Sequence, residues 1–200
     1  MATLEPGTDE YYAQSFKSLD ISGQVLNAIE FEDCTFTKCD FSEATVKGCK
    51  FIECSFIDCN LSNFKLPHSK FMDVSFDACK VVGVDWSKAD WPSITTFKVL
   101  SFKKSLISYS SFYGLELPEM VIEECKAHEV DFREGRFNES DFSYSDFNAS
   151  LFSRTGLTKV NFEEAIHYQI DVLNNDIKGA KFSRLEAVNL LSCLGIELLD

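Results

Sequence analysis

Residues 31–41 read FEDCTFTKCDF, which places phenylalanine at 31, 36 and 41 and cysteine at 34 and 39. A spacing of five matches neither the 3.6-residue period of an α-helix nor the two-residue alternation of a β-strand. A sustained internal repeat decides the whole fold, because every unit must adopt the same conformation as its neighbours.

The five-residue period runs through most of the chain. Steps of five from Phe16 reach a large apolar residue at every position as far as Trp91. The frame then slips by one residue across 92–96, resumes at Phe97 and continues to Phe182 with two exceptions, Ala127 and His167. We expect this column to form the inner wall of the fold, represented by Phe31, Phe36, Phe41, Phe51, Phe56, Phe132, Phe137, Phe142, Phe147 and Phe152.

A second column, of small residues, lies two positions before the first. Residues two apart in an extended chain point to the same side, so the small and the large residue of each unit can both face inward. The next small residue lies three positions further on, and the chain must bend once per unit to keep it inside. A chain that bends every five residues is a coil with flat faces, and its coils stack at the strand spacing of about 4.8 Å.

Six of the eight cysteines lie on the small column, at Cys34, Cys39, Cys49, Cys54, Cys59 and Cys79. Zinc sites favour CxxC pairs or cysteine combined with histidine, and neither pattern occurs in this chain. We therefore expect buried, reduced thiols and no metal or other cofactor.

The formal net charge of −13 disfavours nucleic acid and anionic membranes as partners and favours basic surfaces. Residues 116–146 concentrate this charge, with Glu116, Glu119, Glu123, Glu124, Glu129, Asp131, Glu134, Glu139, Asp141 and Asp146 against three basic residues. This stretch is the candidate partner-binding surface, and a merely solvated acidic face is the alternative.

Several classes of protein are disfavoured. The N-terminus has no apolar signal region and no run of 18 apolar residues occurs, so we expect a cytoplasmic protein without membrane spans. There is no glycine-rich phosphate loop, HExxH or GxSxG motif, and the three histidines are scattered. We expect no enzyme and no concave pocket. His167 falls on the large column, so we expect a buried or edge substitution there rather than a catalytic base.

The C-terminal stretch SRLEAVNLLSCLGIELLD, residues 183–200, leaves the lattice. Ser183 and Glu186 have the spacing of a capping box and Gly195 supplies a stop, which predicts an α-helix. One part of its apolar face should cap the open end of the solenoid, and the rest indicates a homodimer, with a purely monomeric cap as the alternative. The predicted dimer residues are Leu185, Val188, Leu191, Leu194, Ile196, Leu198 and Leu199.

Units such as SDFSY, SDFNA, VNFEE, ADWPS and CNLSN resemble the pentapeptide-repeat family over residues 16–182. The resemblance implies an all-β, right-handed quadrilateral β-helix with four units per coil, about eight coils and cysteines twenty apart stacked on one another. The expected organisation is an N-terminal lead (1–15), a first β-helix segment (16–91), a break (92–96), a second segment (97–182) and a C-terminal helix and tail (183–200).

The stretches FEDCTF, FIDCNLS, DWPS, SFYGL, IDVLNNDIK and IEL resemble the topoisomerase-protecting branch of this family. They are most similar to the albicidin-resistance proteins, and that branch also includes the quinolone-resistance and microcin B17 immunity proteins. The resemblance implies a dimeric, DNA-mimicking rod that binds DNA gyrase, and possibly topoisomerase IV, and protects it from a toxin or antibiotic. A general interaction scaffold with a non-topoisomerase partner is the alternative.

Overall fold

A computed structural model describes residues 4–91 and 100–197 of the chain. Parallel pairs join residues twenty positions apart, such as Phe31 with Phe51 and Phe51 with Phe71. Four five-residue units therefore make one coil, and each coil pairs with the next through backbone hydrogen bonds. The predicted fold class is confirmed, since the chain is an all-β solenoid of about eight turns that ends in one helix.

Fourteen short strands form the regular part of the ladder. They are β1 (Glu10–Tyr12), β2 (Ser15–Lys17), β3 (Val25–Asn27), β4 (Glu30–Glu32), β5 (Thr35–Thr37), β6 (Thr45–Lys47), β7 (Lys50–Ile52), β8 (Ser55–Ile57), β9 (Lys70–Met72), β10 (Val74–Asp77), β11 (Leu100–Lys103), β12 (Val121–Glu123), β13 (Asn161–Phe162) and β14 (Lys181–Phe182). The ladder thus begins at Glu10, inside the segment expected to be a lead. Short 3₁₀ helices cover Trp86–Lys88 and Glu186–Leu194.

The coils present four faces, which we number in chain order from β2. Face 1 is the sheet β2–β5–β8–β10–β11–β12, and face 4 is the sheet β1–β4–β7–β9 followed by single bridges. Face 3 starts with the pair β3–β6. Face 2 consists of isolated parallel bridges from Asp20 to Ile166.

The predicted break leaves the ladder continuous around it. Residues 92–96 and Phe97 lie outside the described residues, but the partners on either side are 26 positions apart, as in Phe76 with Phe102 and Asp85 with Ser111. The coil at the break therefore holds six extra residues, which is one repeat unit plus the single residue of the frame slip. On face 1, β10 pairs directly with β11 across this coil.

The core is filled by the large column, and all ten predicted core phenylalanines are buried. On face 1 the rings of Phe16, Phe36, Phe56, Phe76 and Phe102 stack with centroids 4.7 to 5.0 Å apart. Such stacked rings bury large apolar areas and add specific ring contacts to them. The apolar interior is therefore one continuous column rather than separate clusters.

The buried cysteines carry hydrogen bonds between coils. The backbone N–H of Cys39 donates to Sγ of Cys59 at 3.3 Å, and that of Cys59 donates to Sγ of Cys79 at 3.4 Å. Each thiol in turn donates to a backbone carbonyl of the preceding coil, as Cys59 does to the carbonyl of Phe36 at 3.3 Å. Burial raises the pKa of Cys54 and of Cys125 to about 12. These thiols are therefore protonated at neutral pH, free of disulfides and poor nucleophiles.

The residue at the small-column position correlates with whether its unit forms a strand or a tight turn. Each buried cysteine lies two residues after a strand; they are Cys34, Cys39, Cys49, Cys54, Cys59, Cys79 and Cys125, following β4, β5, β6, β7, β8, β10 and β12. Where a tight turn replaces the strand, most small residues donate their N–H three residues back, as Ser140 does to Phe137 at 3.2 Å, whereas Val84 and Val130 donate to a serine Oγ of the next coil. After a strand this local acceptor is not used, and a side chain of the next coil takes its place, as Sγ of Cys59 does for Cys39.

Of the two positions expected for His167, buried or at an edge, the buried one is wrong. His167 is exposed in a left-handed corner with φ of 57°, and Tyr168 enters the core in its place. The Tyr168 ring packs 5.6 Å from Phe162 and 5.4 Å from Phe182. An imidazole in this apolar column would need partners for its ring nitrogens, whereas the phenol supplies a large apolar body.

The C-terminal helix differs from the predicted one in type and capping. It is a 3₁₀ helix from Glu186 to Leu194 rather than an α-helix beginning at Ser183, and Gly195 ends it with φ of 63°. The capping box is wrong, because Oγ of Ser183 accepts from the N–H of Glu164 at 2.7 Å. A carboxylate oxygen of Glu186 accepts from the N–H of His167 at 3.3 Å. Both side chains therefore attach the helix to the last coil.

Candidate interaction surfaces

Five of the predicted acidic residues share one structural position. Glu119, Glu124, Glu129, Glu134 and Glu139 occupy corners between faces, with φ from 53° to 62°. Left-handed backbone is uncommon for residues other than glycine, but here the repeat imposes it at the corner of nearly every unit. All of these side chains except that of Glu134 are exposed. The corners therefore carry carboxylates along the edges of the rod.

Ion pairs between neighbouring coils offset part of this charge. Glu123 lies 2.7 Å from Lys103, Glu139 lies 2.7 Å from Lys159, and Glu116 lies 3.4 Å from Arg136. Every pair joins residues twenty positions apart, which is one coil. The same spacing links Glu134 to Arg154, and hydrogen bonds from this guanidinium lower the pKa of the Glu134 carboxyl.

The two segments of the rod carry equal net charge, although residues 116–146 are locally acidic. Residues 16–91 contain twelve acidic and eight basic residues, and residues 97–182 contain fourteen and ten, so each segment has a net charge of −4. The acidic excess of 116–146 is balanced by bases in the flanking coils. Sequence reasoning missed these ion pairs, although a search for opposite charges one coil apart would have found them.

Asp141 and Asp146 are bound within the surface rather than projecting from it. Oδ1 of Asp141 accepts from the backbone N–H of Ser143 and from Nδ2 of Asn161, both at 3.1 Å. Asp146 lies between two histidines of the adjacent coils, 2.9 Å from Nε2 of His128 and 2.8 Å from Nδ1 of His167. Partial burial opposes ionisation of Asp146, but the hydrogen bonds from His167 and His128 outweigh it and lower its pKa.

The C-terminal helix exposes an apolar face. The predicted dimer residues Leu185, Val188, Leu191, Leu194 and Ile196 are all exposed, with Leu185 at 88%. Leu198 and Leu199 lie outside the described residues. Leu190 packs against the core, so one side of the helix covers the end of the rod while the other faces outward. We name the five exposed residues the terminal apolar face.

The rod also has surface hollows, contrary to the expectation of none. One, of about 600 Å³, is lined by Glu43, Lys65, Asp85 and Lys88 above the buried Phe64. These residues include no nucleophile beside a general base. Within residues 4–91 and 100–197, no group of three or more metal-ligating side chains is placed to hold a metal ion.

No helix in the described part of the chain has the length and apolar character needed to cross a bilayer.

Comparison with known proteins gives relatives of the same fold. Residues 29–101 match the family model described as a pentapeptide repeat region. Two structures of trypsin-treated QnrB1, a plasmid-mediated fluoroquinolone resistance protein, are similar with TM-scores of 0.66 and 0.64 at 20% and 18% identity. The aligned regions cover 92% and 96% of this chain and all of the QnrB1 chain.

A third similar structure is HetL from the cyanobacterium Nostoc, a pentapeptide-repeat protein involved in regulating heterocyst differentiation. It has a TM-score of 0.58 and 13% identity, and the alignment covers 87% of each chain. A search of curated protein sequences gave no match. With the family match and the four-faced coils described above, these likenesses identify the fold as the pentapeptide-repeat β-helix.

Proposed function

We propose that this chain is a cytoplasmic, DNA-mimicking protein that binds DNA gyrase and protects it from a toxin or antibiotic. The observation that carries the proposal is a narrow rod of about eight coils with carboxylates along its corners. At the strand spacing the rod is about 40 Å long. The two segments together carry a net charge of −8 over that length, or about one charge per 5 Å, against about 1.7 Å for duplex DNA.

The corner carboxylates without a basic partner within the described residues are the preferred contacts. Glu119, Glu124 and Glu129 are exposed and form none of the ion pairs found in the described part of the chain. A positively charged, DNA-binding groove would attract them from a distance and accelerate association at low salt. The paired residues Glu116, Glu123, Glu134 and Glu139 contribute less, because their charges are already offset.

The terminal apolar face supports a dimer. Apolar side chains grouped on one exposed helix face favour association, and a two-fold arrangement lets the same face meet itself. Two rods joined at their C-terminal ends would extend to about 80 Å. That length would offer a long, negatively charged surface to the topoisomerase.

The dimer has a matched test. Leu191→Glu places a charge within the terminal apolar face and is expected to yield monomers in sedimentation or light scattering. Leu173→Glu is the control, since Leu173 is 76% exposed on the β-helix outside that face, and the variant should stay dimeric. A monomeric wild-type chain, or a dimer that survives Leu191→Glu, contradicts the arrangement.

The function is tested by supercoiling of relaxed plasmid with purified gyrase and a poison. We expect the protein to restore supercoiling in the presence of a gyrase-directed natural product of the albicidin type. The fluoroquinolone resistance attributed to QnrB1 makes a fluoroquinolone the second poison to test. Absence of relief with both poisons, together with absence of gyrase binding, would refute the proposal.

A general interaction scaffold remains the second candidate function. The equal net charge of −4 on each segment and the ion pairs between coils favour it, because they lower the density of unpaired negative charge that DNA mimicry needs. Such a scaffold would bind its partner through shape and apolar contacts. Its binding would then depend only weakly on ionic strength.

A further inference from the structure

A glycine lines a hollow on face 4 of the second segment. The outward row there consists of Glu116, Arg136, Gly156 and Asp176, joined by parallel bridges. Gly156 has no left-handed backbone that would require glycine. A Cβ at this position would lie 3.4 Å from Cγ of Arg136 and 3.3 Å from Oδ1 of Asn138. A larger side chain would therefore crowd Arg136 and Asn138, which line a hollow of about 380 Å³ together with Gly156.

The side chains around this hollow carry opposite charges on its two sides. Arg136, Asn138 and Arg154 line it together with Asn174 and Asp176. In the row, Arg136 lies one coil before Gly156 and Asp176 lies one coil after it. The hollow thus places two guanidinium groups in reach of the same space as one carboxylate.

Each guanidinium group is held by a glutamate but retains N–H donors without a partner in that ion pair. Arg136 contacts Glu116 through Nε only, at 3.4 Å, and Arg154 directs Nε and Nη2 to a single oxygen of Glu134. An arginine has five N–H donors, so each retains several for a ligand. Oδ1 of Asn138 accepts from the N–H of Thr158 at 3.1 Å, which fixes the amide and leaves its NH₂ group available. Oδ1 of Asp176 accepts from the N–H of Lys178 at 3.2 Å, so its second oxygen can take another donor.

We propose that this hollow binds a small zwitterion, an α-amino carboxylate, whose carboxylate meets Arg136 and Arg154 and whose ammonium meets Asp176. Paired guanidinium donors recognise carboxylates through directed, charge-assisted hydrogen bonds. The surrounding protein, with a net charge of −13, repels phosphate and other net anions. A ligand without net charge escapes that repulsion and uses both walls of the hollow.

Titration of the full-length protein with glycine at low salt tests the site. The side-chain Nε–H signals of Arg136 and Arg154 in NMR spectra are expected to shift saturably, with a dissociation constant on the order of 1 mM. Acetate and inorganic phosphate, at the same concentrations, should bind at least about tenfold more weakly, because neither offers Asp176 an ammonium group.

Three variants sharpen the result. Arg136→Gln should abolish the saturable shift of Arg154, and Gly156→Val should do the same by filling the hollow. Arg184→Gln removes an exposed arginine elsewhere and should leave glycine binding unchanged. Asp176→Asn should remove the preference for glycine over acetate. The proposal is overturned if the wild type shows no saturable shift, if phosphate binds as tightly as glycine, or if binding survives both Arg136→Gln and Gly156→Val.

Discussion

The two segments of the rod reach the same cross-section by different local means. In the first segment, residues 16–91, most units on faces 1 and 4 form three-residue strands, and buried cysteines follow those strands. In the second segment, residues 100–182, most units are single bridges followed by tight turns, and only one cysteine, Cys125, lies on the small column, where serine is the commonest residue. The difference indicates that the small inward residue accompanies the choice between strand and turn.

Hydrogen-bond satisfaction explains this association. In most turn units the N–H of the small residue has a local acceptor, as Ala165 has in Phe162 at 3.2 Å, so no polar side chain is needed one coil on. Val84 and Val130 are exceptions, since their N–H groups donate to Oγ of Ser110 and Ser150. A strand offers no such local acceptor, and the thiol or hydroxyl one coil above accepts instead, as Oγ of Ser105 does for Cys79 at 3.0 Å. Cysteine suits this place because it combines apolar packing with a weak acceptor.

The largest expected effect comes from the stacked rings of the first segment. Phe56 is buried between Phe36 and Phe76, and Phe56→Ala should lower the free energy of unfolding by about 4 kcal/mol. Phe137 is equally buried but has no ring stacked face to face upon it, and Phe137→Ala should cost about 3 kcal/mol. Urea denaturation followed by circular dichroism measures both, and a cost below about 1 kcal/mol for Phe56→Ala would contradict a continuous aromatic core.

A smaller effect separates strand corners from turn corners. Cys59→Ala leaves the N–H of Cys39 without its acceptor and should cost about 1–2 kcal/mol, whereas Cys59→Ser keeps an acceptor and should cost less. Ser140 is the matched control, because its buried Oγ has no hydrogen-bond partner within the described residues. Ser140→Ala should therefore change stability by less than about 0.5 kcal/mol. Equal losses for Cys59→Ala and Ser140→Ala in the same denaturation assay would refute the distinction.

The smallest effect concerns Asp146, which joins three coils of the second segment. Its lowered pKa means that the ionised form stabilises the fold above the unfolded-state pKa of about 3.9, and that this contribution is lost as the pH falls through the folded-state value. Asp146→Asn should cost about 0.5–1 kcal/mol at pH 7 and much less once the pH lies below the lowered folded-state pKa. Denaturation midpoints of wild type and variant should therefore converge on acidification, and a difference independent of pH would exclude the histidine contacts as its cause.

The sequence predicted the fold because the five-residue period is a property of each unit. The buried phenylalanines and the stacking of cysteines twenty apart follow directly from that period and from four units per coil. The sequence pattern placed His167 on the inward column, but Tyr168 occupies that position. The frame shifts by one residue near the end of the rod, and the five-residue period alone does not reveal the shift. The helix type was missed because Ser183 and Glu186 find partners in the last coil, which no local pattern reveals.

The candidate surfaces were predicted less completely, since they depend on which residues meet between coils. The acidic stretch 116–146 was visible in the sequence, but its compensation by Lys103, Arg154 and Lys159 required the coil length. The hollow at Gly156 had one signal, a glycine in an otherwise charged outward row. That signal acquires meaning only when Arg136 and Asp176 are known to lie on either side of it.

The most direct test of DNA mimicry is competition between this protein and labelled duplex DNA for purified gyrase. We expect the wild type to displace the duplex, and to do so less well as the salt concentration rises. A variant with Glu119→Lys, Glu124→Lys and Glu129→Lys should lose displacement. A control with Glu43→Lys, Asp58→Lys and Asp73→Lys makes the same charge change at left-handed corners of the first segment and should retain most of it. Failure of the wild type to displace DNA at any ratio, or full displacement by the first variant, would contradict the account.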